Sequence, residues 1–265
     1  MRPESAVLLV SDLHSGKKTK SFDLEVLKKR MQNMGANVTK VLSILKEAYH
    51  IEDLHILQLG DMIDNDSIYK THKHHIDPNA NYGWLQVKEL VNIMEPVYRQ
   101  MRNDVGVPVK LYGIRGNHGR VSSYTHESNN FDLMYYDLLQ SKLNGTMGST
   151  VSSEFATIVN IQGHGFLLYH GAGIRMYQNL PHYGIVQRVM RWQQSMEPFS
   201  VVCVGHFHTF GYYRWIGTDI FLTGTAVSDD EFAQEVIGMD GEPTFWLLGV
   251  HPERKVTWRY PIPLI

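Results

Sequence analysis

Five short segments gather side chains that bind cations through oxygen or nitrogen. They are Asp12-Leu13-His14, Gly60-Asp61-Met62-Ile63-Asp64, Gly116-Asn117-His118, His170-Gly171 and Gly205-His206-Phe207-His208. The donors are carboxylate, carboxamide and imidazole, with no thiolate. That chemistry suits Mn, Fe, Zn or Ni better than a structural zinc or a calcium cage. The set is too large for one ion, and two ions with a shared carboxylate divide it naturally. Two cations about 3.5–4 Å apart form the clamp that neutralises an in-line phosphoryl transfer. If Asp12, Asp61 and Asn117 only capped turns, five imidazoles would stand at loop positions by coincidence.

Histidine is also what the composition singles out. The 265 residues include 14 His and one Cys, Cys203, so an internal disulfide framework and cysteine-ligated zinc are both excluded. Cys203 lies in an apolar run and reads as inert core, as do Met31 and Met34. With 25 Lys+Arg against 27 Asp+Glu, the formal charge of -2 excludes coating of a polyanion by bulk charge. The longest apolar runs, 6–10 and 245–248, are far shorter than a membrane span or a secretory signal. Without linker, low-complexity segment or repeat, the expectation is a soluble cytoplasmic protein with a single domain over 1–265.

The elements that must position these residues follow from periodicity. Residues 6–10, 53–59 and 107–114 read as strands, and each ends in one of the polar segments. Between them, 22–49, 81–102 and 130–143 have helical spacing; Gly35 predicts a split in the first and Pro96 a kink or break in the second. The second half turns to strands. A hairpin is expected from 155–161 and 166–169, a helix over 186–194, and strands over 200–204, 211–216, 219–222, 244–250 and 255–260. Two sheets flanked by helices fit this order better than one doubly wound sheet.

The ordered set Asp12-x-His14, Gly60-Asp61-x-x-Asp64, Gly116-Asn117-His118, His170-Gly171 and Gly205-His206-x-His208 resembles the calcineurin-like metallophosphoesterases. The resemblance runs from residue 12 to 208. It implies an α/β fold, a four-layer α-β-β-α sandwich of two mixed sheets; no capping domain is expected. It also implies two divalent ions, Mn2+ foremost, with Fe, Zn, Ni or Mg as other candidates. By this resemblance Asp12, His14, Asp61 and His208 hold the first metal. Asp61, Asn117, His170 and His206 hold the second, with Asp61 bridging. His118 protonates the leaving oxygen, Asp64 fixes its tautomer, and Arg115 or Arg120 contacts phosphate oxygens. A hydroxide bridging the metals attacks phosphorus in line.

Departures narrow the substrate. Protein phosphatases of this superfamily carry Arg-Gly after the second motif and Glu after the third, where this chain has Asn65-Asp66 and Gly119-Arg120. Purple acid phosphatases place a Tyr ligand where Asp64 stands. The segments Ser11-Asp12-Leu13-His14-Ser15-Gly16, Gly116-Asn117-His118-Gly119-Arg120 and Asn129-Asn130-Phe131-Asp132 are similar to the Mre11/SbcD exonuclease-like branch, including short phage-encoded members. That similarity implies a phosphodiesterase acting on DNA or RNA, in a host cytoplasm if phage-encoded, and no Rad50-type ATPase partner is expected. The alternatives are a phosphodiesterase or monoesterase of small cyclic or linear nucleotides, and a non-catalytic scaffold of the same fold.

Basic and aromatic residues near the motifs could guide a nucleic acid. Lys17, Lys18 and Lys20 flank the first motif, and Lys70 with His72-Lys73-His74-His75 follows the second. Tyr124 and His126 follow the third, and Tyr177, His182 and Tyr183 the fourth. The acidic stretch Asp229-Asp230-Glu231, with Glu235, reads as a solvated loop.

Overall fold

The computed structural model describes residues 2–65, 67–68, 75–229 and 241–265. Lys70, His72, Lys73, His74, Asp230, Glu231 and Glu235 lie outside them. Among the described residues, eleven strands form two mixed sheets. In the first, β1 (Glu4–Val10), β2 (Ile51–Gln58), β3 (Val109–Ile114) and β4 (Gly148–Ser152) run parallel. On the other side of β1, β10 (Thr244–His251) and β11 (Lys255–Pro263) are antiparallel additions. In the second sheet the order is β5 (Ala156–Ile161), β6 (His164–Tyr169), β7 (Val201–Val204), β9 (Thr218–Leu222) and β8 (Gly211–Trp215), with β6, β7 and β9 parallel.

Three hydrophobic cores separate four layers. Alternate β1 residues Ala6, Leu8 and Val10 pack under α1 (Leu24–Leu45), α2 (Gly83–Val105) and α3 (Phe131–Leu143). Their neighbours Val7 and Leu9 face Phe166, Cys203 and Phe221 of the second sheet. The outer face of that sheet, with Leu167, Val202 and Ile220, is covered by Ile185, Val189 and Trp192 of α4 (His182–Trp192). β1 is buried along its whole length because both of its faces are core, which is why residues 6–10 are an unbroken apolar run. This is the expected α-β-β-α sandwich. Among the described residues no helix is long and apolar enough to cross a membrane.

Two expected breaks are absent. α1 continues through Gly35, where a Cβ would meet Val97 Cγ1 of α2 at 3.1 Å. The glycine therefore marks the close approach of two helices rather than a helix end. α2 continues through Pro96, which lies on the exposed face, so the carbonyl it leaves unbonded turns to water. The opposite face, with Leu90, Met94, Tyr98 and Met101, holds the helix on the sheet. α4 begins at His182 and not at residue 186, because Pro181 presets the backbone at its start. β3 begins after Pro108, which has no N–H to offer the ladder. The edge strand β4 was not expected: Gly148-Ser149-Thr150-Val151-Ser152 is largely exposed and carries no apolar alternation.

Candidate metal centre

β1, β2 and β3 end on one side of the first sheet, and β6 and β7 end on the facing side of the second. Asp12, Asp61, Asn117, His170 and His206 follow those five ends. The turns they occupy are tight. Asp12 (φ 54), His14 (φ 45), Asp61 (φ 51), His206 (φ 68) and His208 (φ 54) all have left-handed backbones. Each such residue costs on the order of 1–3 kcal/mol and persists only where its surroundings over-determine it. The loops also touch closely: a Cβ on Gly116 would fall 2.1 Å from Asp61 Oδ1.

The predicted ligand-type residues converge in two clusters, Asp12–His14–His208 and Asp61–His170–His206. In the first, His14 Nε2 lies 3.1 Å from His208 Nε2. Asp12 Oδ1 lies 3.7 Å from the former and 3.4 Å from the latter. It is buried and receives no hydrogen bond from the described residues. Asp12 Oδ2 is held by the Ser11 hydroxyl and by the His206 N–H at 2.9 Å. In the second cluster, His170 Nε2 lies 3.0 Å from Asp61 Oδ2 and 3.0 Å from Asn117 Oδ1.

Proton bookkeeping on these rings tests whether a cation fits. His14 Nδ1 donates to Asp64 Oδ1 at 2.8 Å, and His170 Nδ1 donates to the Leu59 carbonyl at 2.8 Å. With each Nδ1 proton committed, each neutral ring turns the lone pair of Nε2 inward. There it meets another imidazole nitrogen, a carboxylate oxygen or a carboxamide oxygen. Acceptors crowded together in this way require a positive charge among them. Without a metal, protons fill that role. Burial disfavours a charged His14, but Asp12 and Asp64 overcome it and raise its pKa to about 10. Burial likewise opposes His170 charging, and Asp61 overcomes it, giving about 9. Burial and the His170 charge push His206 down to about 3. Burial opposes ionisation of Asp12, Asp61 and Asp64 too, yet neighbouring cationic groups hold all three well below the usual carboxylate range. The residues present therefore fit divalent cations.

A third group, His14–Asp64–His118, has a different character. Asp64 Oδ1 accepts from His14 and, at 3.3 Å, faces His118 Nδ1. His118 Nε2 lies 3.9 Å from Asp61 Oδ2 on the open side of the site, where the His118 side chain is 17% exposed. The two arginines diverge. Arg115 is committed to Glu127 at 2.6 Å and to the Ser153 carbonyl at 2.8 Å. Arg120 stays at the site loop, its Nε donating to the Asn117 carbonyl at 3.2 Å.

One buried residue of the site was not expected from the sequence. Asp132, in the first turn of α3, accepts four backbone N–H groups: Asp61 at 3.0 Å, Met62 at 3.0 Å, Ile63 at 3.1 Å and Gly116 at 2.8 Å. It ties the second ligand loop to the third. Burial, and then the Asp61 charge, push its pKa up to about 7 against the pull of those N–H groups. The available signal was Asn130, a helix cap, followed by an acid in the first turn. That pattern predicts a helix start and says nothing of an acid buried beneath two loops.

The model of the calcineurin-like phosphoesterase family matches residues 5–223. Similar solved structures include an archaeal phosphodiesterase, at 14% identity, with 97% of this chain and 98% of that chain covered and a TM-score of 0.45. Vacuolar protein sorting 29 from Cryptosporidium parvum is similar at 14% identity, with 98% of each chain covered and a TM-score of 0.47. A hypothetical protein from Pyrococcus horikoshii is similar at 11% identity, with 98% and 88% covered and a TM-score of 0.46. No curated protein sequence matches the chain. The family match encloses all five loops that carry the clustered residues, and this chain belongs to the calcineurin-like phosphoesterases.

Proposed function

We propose that this phosphoesterase is a two-metal phosphodiesterase acting on nucleic acid, of the kind its loop motifs resemble in the Mre11/SbcD branch. The carrying observation is the inward crowding of His14 Nε2 with His208 Nε2 in one cluster and of His170 Nε2 with Asp61 Oδ2 and Asn117 Oδ1 in the other. Asp12, His14 and His208, with Asp61, would hold one cation; Asp61, Asn117, His170 and His206 would hold the other. Divalent ions there, Mn2+ by preference, supply Lewis acidity to phosphoryl oxygens and make water acidic enough to serve as nucleophile near neutral pH.

The remaining work falls to the chain. His118 stands outside both ligand clusters, and its Nε2 faces the open side. It presents a proton to the leaving oxygen while Asp64 Oδ1 fixes the proton on Nδ1. Asp64 also fixes the ligand tautomer of His14. Arg120, held at the Asn117 carbonyl, is the arginine best placed for a phosphate oxygen, since Arg115 is tied to Glu127. The polymer reading rests on the rim, where Lys18 is exposed and Tyr124 is 98% exposed.

The decisive experiment offers the Mn2+-loaded chain single- and double-stranded DNA, RNA, cyclic nucleotides, and aryl phosphate mono- and diesters. Cleavage of at least one polymer is expected. Robust turnover of small diesters with every polymer left intact would assign the enzyme to small nucleotides instead.

A further inference from the structure

α4 covers the second sheet with one face and leaves an aromatic groove along the other. Its walls are Tyr183, Met190 and Arg191 of α4, Gln194 just beyond the helix, and Tyr213 and Trp215 of β8, enclosing about 670 Å³. The core-facing residues Ile185, Val189 and Trp192 are already buried, so packing does not account for the outer row. Tyr183 is 56% exposed, Met190 45% and Trp215 43%. His182 and Tyr213 bring their rings to 4.7 Å, and Tyr183 meets Tyr177 edge to face at 4.9 Å.

Direction follows from topology. α4 joins the parallel strands β6 and β7, so it starts at their carboxyl ends, where His170 and His206 sit, and runs away from them. β8 is antiparallel to β9 and runs alongside, with Gly211 at the site end and Trp215 at the far end. Over its 11 residues α4 spans roughly 16 Å. The groove therefore runs along the outer sheet face from the end of the sheet that carries His170 and His206.

Charge selects the occupant. From His170 to Met196 the chain contains Arg175, Arg188 and Arg191 and not one carboxylate, although the protein as a whole is net acidic. Arg175 lies 5.4 Å over the Tyr177 ring, and Arg191 has no carboxylate partner among the described residues. Exposed aromatic faces interleaved with arginines bind unpaired bases and their phosphates, whereas the bases of a duplex are already stacked.

Resting on the nucleic-acid reading above, we infer that the α4–β8 groove is a binding track for single-stranded nucleic acid. Bases stack on Tyr183, Tyr213 and Trp215, and Arg191 pairs with a phosphate.

The test uses the whole chain loaded with Mn2+. Binding of a labelled single strand with hydrolysis-resistant phosphorothioate linkages is read by fluorescence anisotropy, beside turnover of a native strand and of an aryl phosphodiester. The double variant Tyr183→Ala/Trp215→Ala should weaken strand binding about 10-fold or more, because each lost stack is worth roughly 1–3 kcal/mol. Its ratio of strand to aryl-diester turnover should fall in parallel. Arg191→Ala should flatten the salt dependence of log K by about 0.7, one phosphate contact on a single strand. Cross-linking of a bromouracil strand to the unmodified protein should place adducts on groove residues, a readout independent of any variant.

Unchanged strand binding by these variants, or adducts confined to other elements, would overturn the track while leaving the nuclease reading intact. Aryl-diester turnover without binding or cleavage of any polymer would overturn both. A dimer in sedimentation that dissociates in the double variant, with strand affinity unaltered, would reassign the groove to contact between copies of the chain.

Discussion

Asp64 Oδ1 serves two imidazoles of different duty, one aimed into a ligand cluster and one facing the open side. On the proposed reading, metal binding and proton transfer should be separable at the level of single residues. Asp61→Asn should lose bound metal and turnover together, because it removes charge from the cluster of His170 and His206. His118→Ala should retain metal, measured by elemental analysis of the purified variant. It should lose about 10²–10⁴-fold in turnover of an alkyl-leaving-group diester, the span of general acid catalysis. The loss should shrink for a nitrophenyl leaving group, which departs without a proton. Equal losses on both substrates would remove the acid role from His118. The clustered Asp, Asn and His residues were legible in the sequence because each follows an apolar run closed by a polar turn. Their left-handed backbones were not, since Asp12, His14 and Asp61 are not glycines and nothing local announces the strain.

At the scale of elements, the site depends on how strand ends are tied to a helix. Asp132 gives α3 a hold on two ligand loops at once through four N–H groups. Asp132→Ala should leave those donors buried and unmet. Metal affinity should fall about 10–100-fold, the usual effect of losing a group that orients ligands, and the melting temperature should fall in the chelated protein as well. Isothermal titration with Mn2+ checks the first and differential scanning calorimetry the second; retention of wild-type affinity would reduce Asp132 to a helix-start residue. The elements themselves were largely readable from period and punctuation. The exceptions share a cause, because tertiary packing overrode local propensity. Gly35 belongs to the α1–α2 contact, Pro96 faces water on a helix pinned by its other side, and β4 is an edge held by β3. Pro96→Ala should therefore raise stability, by no more than the ~3 kcal/mol that separates the two residues in a helix interior, with turnover unchanged.

For the whole molecule, the candidate metal centre lies where loops of the two sheets meet. Asp12 and Asp61 come from the first sheet and His170, His206 and His208 from the second, so cations held among them would bind the sheets to each other. In the metal-free chain protons do that work. His14 at about 10 and His170 at about 9 lie above the ordinary imidazole value. Their ion pairs with Asp12, Asp64 and Asp61 thus stabilise the metal-free fold fully below about pH 6.5 and fade as pH rises through the folded values. Cations must displace those same protons, and each displaced proton makes binding about 1.4 kcal/mol less favourable for every pH unit below its folded pKa. The increase in melting temperature on adding Mn2+ should consequently be small near about pH 6 and larger near about pH 8.5, with chelator reversing it at both. Scanning fluorimetry across that range, at fixed free Mn2+, measures the trend directly. An increment independent of pH would mean that metal and protons do not compete, and that His14 and His170 are not the groups that receive the cations.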